Sequence, residues 1–321
     1  MLLEKINLFK NALLTFALAA LLSCVKPSPT DPGFVWTWKP GPKPIVLAKE
    51  DSLYEGKAIG SPDVLRDGDL FAMYYAQGGK DDKGRIGLAL SRDGVNWSKV
   101  ANGKPILEPG PSGAWDSWFL DTPGIVKSGG GYFLYYVASR SNGTVGASIG
   151  LATSANGTDF TRYSGNPVLT RGAVGSWEEL WIESPVILKD SSGFKMYYSG
   201  VDAKWQVRIG LATSPDGTNW TKYSGNPILS TGKESEWDSY AVAVPAVLKK
   251  GNIYQMFYCG QATWETALGF KAPKIGYASS TDGVNWKKGD FYFLSGWETY
   301  AQPNGPWTPT ALFDEAAGEY K

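Results

Sequence analysis

The sequence predicts an all-β protein, a five-bladed β-propeller whose last blade is incomplete, on three observations: a unit of about sixty residues repeated five times, turn signals every strand length, and an aromatic-rich, glycine-rich composition. Among 321 residues there are 39 Gly, 14 Trp, 17 Tyr and 13 Phe against two Cys and four Met. That balance favours strands and tight turns over helices.

The repeats are explicit. SRDGVNW, SANGTDF, SPDGTNW and STDGVNW begin at Ser91, Ser154, Ser214 and Ser280. Ahead of them lie the short apolar strands RIGLAL, SIGLAT, RIGLAT and KIGYAS, and Pro-Ile/Val-Leu steps follow at Pro105, Pro167 and Pro227. An aromatic-acid pair recurs at Tyr54-Glu55, Trp115-Asp116, Trp177-Glu178, Trp237-Asp238 and Trp297-Glu298. Eight residues after the first four of those aromatics, Pro62, Pro123, Pro185 and Pro245 open another apolar strand, followed by FAMYY, YFLYY, FKMYY and YQMFY. Each unit therefore offers about four strands, one blade. The last unit reads only PTALFDEAAGEYK from Pro309, so the chain is expected to end in a short blade or to be truncated there. VWTWKPGPKPIVL from Val35 resembles the tail of a unit and is expected to supply the outer strand that closes the ring.

At the amino terminus, Lys5 and Lys10 precede an apolar run from Ala12 to Leu22, too short to span a bilayer comfortably, and LLSC ends at Cys24. This resembles a bacterial lipoprotein signal. The implied organisation is a signal peptide over 1–23, a lipidated Cys24, a Pro-rich tether over 24–35 and the propeller over 36–321, anchored to the cell envelope through its lipid. Cys259 is then left as a small buried residue.

Thirty-one Lys plus Arg balance thirty-one Asp plus Glu, so no basic face collects phosphates and nucleic acid is not an expected partner. With no histidine anywhere, Ser-His-Asp and Cys-His machinery and His-ligated metals are excluded. No cofactor is implied, a structural calcium ion is left open, and a monomer is expected.

A side chain present in every blade is explained by the scaffold, so function is sought where the blades differ. The acids Glu55, Asp116, Glu178, Asp238 and Glu298 recur, and are expected to tie loops to backbone amides. Five residues beyond each, the copies diverge into Gly60, Asp121, Glu183, Ala243 and Pro303. Asp121 and Glu183 thus fall at the starts of adjacent innermost strands, where partial burial can push two carboxyl pKa values apart, as cleavage of a glycosidic bond requires. Trp118 and Trp181 lie close before them, while Trp205 and Trp264 fall in loops after the second strands. Indole faces suit sugar rings. Arg140 and Asp202 occupy similar loops and could bind sugar hydroxyls.

With LDTP, WIESP, MYYSG, IGLATS and DGxxW in successive units, residues 36–321 resemble the five-bladed propeller glycosidases, the superfamily of glycoside hydrolase families 43, 62, 32, 68 and 130. By that resemblance Glu183 matches the third-blade general acid and Asp121 the second-blade Asp that tunes it. The first-blade base is replaced by Gly60; Asp63 is the nearest carboxylate, and strand alternation points it away from Gly60's side unless a bulge intervenes. The resemblance implies hydrolysis of arabinose, xylose or fructose units. The alternatives are a family 130-like phosphorylase, with Arg140 and Arg208 as candidate phosphate ligands, and a non-catalytic glycan-binding propeller. Neoagarobiose hydrolases, which use a histidine, are disfavoured, as are sialidases, whose Asp-box is one residue longer and whose blades number six.

Overall fold

The computed structural model describes residues 52–56, 58–141, 146–262, 274–293, 309–311, 313–314 and 319–320. Cys24, the tether, the segment from Val35 and Trp264 lie outside them. The described residues contain no α-helix.

Four blades follow in chain order. The first is β1 (Ala58–Asp67), β2 (Leu70–Gly78), β3 (Gly84–Ser91) and β4 (Ser98–Lys99). The second is β5 (Phe119–Ser128), β6 (Gly131–Ser139), β7 (Ser148–Ser154) and β8 (Thr161–Arg162), the third β9 (Trp181–Asp190), β10 (Gly193–Val201), β11 (Val207–Ser214) and β12 (Thr221–Lys222). The fourth is β13 (Ala241–Lys250), β14 (Ile253–Gln261), β15 (Lys274–Ser280) and β16 (Lys287–Phe293); β17 (Phe313–Asp314) and β18 (Glu319–Tyr320) form a further hairpin. Within each blade the strands pair antiparallel to their neighbours, and one parallel pair, Val207 with Ala241, joins the third blade's sheet to the fourth. Strands β1, β5, β9 and β13, with residues 309–311, surround an axial cavity of about 450 Å³. The propeller fold expected from the repeats is the fold observed.

The two tyrosines of the MYY strands explain how blades stay in register. The first of each pair reaches the next blade: Tyr74, Tyr135 and Tyr197 donate to the carbonyls of Gly157, Gly217 and Gly283, at 2.9, 2.6 and 2.9 Å. Those glycines sit in the Asp-Gly or Asn-Gly turns at positive φ, 78°, 80° and 74°. The turn's second half is held from within: Asp93 Oδ1 accepts from the amides of Val95 and Asn96, as Asp216 and Asp282 do in their own copies. These hydrogen bonds hold all three carboxyls well below the usual range.

The second tyrosine stays at home. Tyr75 and Tyr258 donate to Glu55 and Asp238 at 3.0 Å, and Tyr136 reaches Asp116 at 3.4 Å. The same acids take a cation from the outermost strand: Lys99 on Glu55, Arg162 on Asp116 and Lys288 on Asp238, each at 2.6 Å, and Lys222 on Glu178. The expectation of backbone-amide partners is corrected by this geometry. Each acid clips the outer strand to the loop that leads into the innermost one through a side-chain cation.

All four of these carboxylates are buried. Removing one leaves a part-buried cation without its partner and an orphaned buried hydroxyl. Asp238→Ala is expected to lower stability by about 3 kcal/mol in urea denaturation; unchanged stability would show that the clip carries no weight.

Candidate active site

Each innermost strand carries one extra residue at its head. Gly60 pairs with Ala76 and Asp63 with Tyr74, three residues on β1 against two on β2. The same shift separates Asp121 from Gly124, Glu183 from Val186 and Ala243 from Ala246. The residue after the variable position adopts a left-handed backbone in all four blades: Ser61 at φ 47°, Thr122 at 38°, Ser184 at 55° and Val244 at 50°. Four repeats of a costly conformation, two of them on β-branched residues, Thr122 and Val244, mark a device of the scaffold. An extra residue in a period of two restores the face, so Asp63 points to the same side of β1 as Gly60.

The bulges lock neighbouring blades together. Ser184 N donates to Thr122 Oγ1 at 3.3 Å, so the residues following Asp121 and Glu183 touch directly. A Cβ at Gly124 would stand 2.2 Å from the Pro185 carbonyl oxygen, which is why blade two needs glycine there. Val244 N donates to Ser199 Oγ at 2.9 Å. Asp121 and Glu183 are therefore held side by side at one end of the axis, on adjacent strands and at equivalent register.

Their surroundings set their charge. Burial pushes Asp121 up to about 6, against the pull of the Thr122 amide and the Ser61 hydroxyl. Glu183 is pushed up to about 7, chiefly by burial and further by the charge of Asp121, while the indole N–H of Trp181, 3.1 Å from Oε2, pulls it down. Interacting carboxyls titrate as a pair. The Asp121 charge raises Glu183 further, so of the two Glu183 holds the pair's shared proton. Cys259 faces Glu183 from β14, and burial with the Glu183 charge pushes its thiol up to about 12.

Asp63 lies elsewhere along the axis. Its Oδ2 accepts from Ile125 N of blade two at 2.8 Å, and its Oδ1 from Val64 N at 3.0 Å and from the Thr310 hydroxyl at 3.4 Å. Burial raises it to about 6 against those hydrogen bonds. It joins blade one to blade two and to the last unit, lining the axial cavity.

The other sequence candidates separate. Trp181 is fully enclosed and Trp205 nearly so, their rings edge to face with centroids 5.3 Å apart, so neither offers a face to a ligand. Trp118 is half-buried just ahead of β5, its Nε1 without a hydrogen-bond acceptor among the described residues. Arg140 is exposed at the end of β6 that lies beside the start of β5. Asp202 is taken up by Arg208 at 2.7 Å and by the amides of Lys204 and Gln206. Sequence reasoning missed Ser61 and Glu179. The hydroxyl residue before proline in SPDV, TPGI and SPVI was a visible signal for the first; for Glu179 the signal was its departure from Gly56, Ser117 and Ser239 at the same place in the other units. Among the described residues no group of three or more Cys, Asp or Glu is placed to hold a metal.

No protein-family model matches the chain. It is 28% identical over 233 residues to an uncharacterized protein of Mycobacterium tuberculosis, 69% of this chain and 72% of that protein. It is 27% identical over 229 residues to a 1,2-beta-oligomannan phosphorylase of a Thermoanaerobacter species, 67% of this chain and 69% of that protein. The solved structure of a thermostable family-43 glycoside hydrolase superposes with a TM-score of 0.64 at 19% identity, over 82% of this chain and 81% of that one. The chain has the propeller-glycosidase fold. At that level of identity the likeness fixes the architecture, and the position of Asp121 and Glu183 within it comes from the bulges described above.

A carboxyl whose folded pKa is raised binds its proton more tightly in the folded state, so the stability tied to it is present below the unfolded value and lost as pH rises through the folded one. For Asp121 the window runs from the ordinary aspartate value of 3.8 to about 6, a cost of about 3 kcal/mol at most above it. Asp121→Asn is therefore expected to match wild type in melting temperature near pH 4 and to exceed it increasingly toward pH 7.5. A difference independent of pH would contradict the assigned burial.

Proposed function

We propose that the protein cleaves O-glycosidic bonds of oligo- or polysaccharides at the end of the propeller axis where Asp121 and Glu183 meet. The observation that carries this is the pair itself: two off-pattern carboxyls on adjacent bulges, both raised above the usual carboxylate range by burial, with the charge of Asp121 helping to keep the proton on Glu183. Glu183 gives its proton to the leaving oxygen as the bond to the anomeric carbon breaks. Water adds to that carbon and its proton passes to the Asp121 carboxylate. Asp63, with its oxygens committed to Ile125, Val64 and Thr310, serves the ring rather than the chemistry. Exposed Arg140 and half-buried Trp118 flank the same end and suit sugar contacts. Arabinose, xylose or fructose units are the substrates to try first, and a lipid on Cys24 would hold the enzyme at the cell envelope.

A second reading replaces water by inorganic phosphate. Gly60, which leaves blade one without a carboxylate at the variable position, favours it, as does the similarity to an oligomannan phosphorylase. Phosphate needs no base to deprotonate it. Arg208, however, is already paired with Asp202.

The test is a screen of aryl glycosides and oligosaccharides with and without phosphate, wild type against Glu183→Gln. Loss of at least ~100-fold of turnover on unactivated substrates is expected from removing the acid. Free sugar as product supports hydrolysis and a sugar 1-phosphate the second reading. Equal turnover by the two proteins would overturn the assignment of Glu183.

A further inference from the structure

The hairpin between β10 and β11 breaks a local rule. Residues 202–206 and the first-blade hairpin 79–83 share one geometry: Asp202 N bonds Gln206 O and Trp205 N bonds Asp202 O, as Gly79 N bonds Lys83 O and Asp82 N bonds Gly79 O. The fourth residue is left-handed in both, Asp82 at φ 63° and Trp205 at φ 66°. Aspartate tolerates that conformation, whereas a bulky indole does so at a cost. Such strain persists where the surroundings over-determine it, and it clusters at functional sites.

The tryptophan is held there by its neighbours. Trp205 packs edge-on against Trp181, and Trp181 donates to Glu183 Oε2. The hairpin is itself pinned by Glu179, whose Oε1 accepts from Ala203 N at 3.0 Å and whose Oε2 accepts from Gly175 N at 2.7 Å. In blade one the corresponding amide, Lys80 N, goes to a backbone carbonyl, that of Leu53. Glu179 is also off-pattern, since the residue after the repeat acid is Gly56, Ser117 and Ser239 in the other described blades.

We propose that Glu179 and Trp205 are positioning residues for Glu183: Glu179 pins the 202–206 hairpin, the hairpin holds Trp205 against Trp181, and the indole of Trp181 is thereby kept aimed at the carboxyl. This rests on the reading of Glu183 as the proton donor, whose protonation this hydrogen bond adjusts. The titratable groups facing Glu183 are Asp121 from β5 and Cys259 from β14, neither of which touches the hairpin. A hydrogen bond to the carboxylate favours the ionised form, so loosening the indole raises the pKa of Glu183.

The test is carboxyl-carbon NMR of glutamate-labelled protein titrated from pH 4 to 9, with the Glu183 signal assigned by its loss in Glu183→Gln. Trp181→Phe, which removes the donor and keeps the ring, sets the full effect. Trp205→Gly, which removes the ring and relieves the backbone, and Glu179→Ala are expected to raise the apparent pKa in the same direction, by about half a unit or threefold in the ionisation constant. Trp205→Phe and Glu179→Gln read the same effect at smaller amplitude if the stronger variants do not fold. Folded Trp205 and Glu179 variants that keep the wild-type titration, or a Trp181→Phe that does not move it, would overturn the proposal. No substrate enters this measurement, so a wild-type protein without glycosidase activity would fail the functional reading while leaving the relay standing.

Discussion

The one-residue bulge at the head of each innermost strand is the constraint on which the rest of the molecule depends. It forces Ser61, Thr122, Ser184 and Val244 into a left-handed backbone just before proline, and it frees backbone amides that neighbouring blades must satisfy. They do so through Thr122 Oγ1, Ser199 Oγ and the Asp63 carboxylate, while the amide of Thr122 is taken within its own strand by Asp121. The bulge therefore does two things together. It stitches successive blades around the axis, and it sets the residue before it at the same register on each innermost strand.

Around that device the recurring and the divergent residues divide the labour. Recurring acids pair with outer-strand cations and tyrosine hydroxyls, recurring tyrosines reach the next blade's turn, and none of these groups is spare for chemistry. The divergent position carries nothing in blade one, methyl in blade four, and carboxyls in the two blades between. Because those two are adjacent and desolvated, their ionisation costs stability, and a fold with so many inter-blade ties can bear it. The turn carboxyls Asp93, Asp216 and Asp282, exposed and ringed by loop amides, are instead held well below the usual range.

Blade count, strand order and the site of divergence were legible in the sequence because each is a matter of spacing, which repeats preserve. The adjacency of Asp121 and Glu183 followed from the same counting. The role of the tryptophans did not: whether Trp181 faces a ligand or a core depends on what the neighbouring hairpin places over it, and the hairpin's left-handed Trp205 has no signature in composition. Asp63 shows the other limit. Alternation argued that it turns away from Gly60, and only the bulge, a backbone irregularity, returns it to that face while hydrogen bonds claim its oxygens.

The central claim is that the scaffold brings these two acids within electrostatic reach of one another at the axis. The measurement that tests it most directly is the titration of Glu183 in Asp121→Asn. With the neighbouring charge removed and burial unchanged, its apparent pKa is expected to fall from about 7, whereas a value that stays where it is in the wild type would mean that the two carboxyls do not share a site.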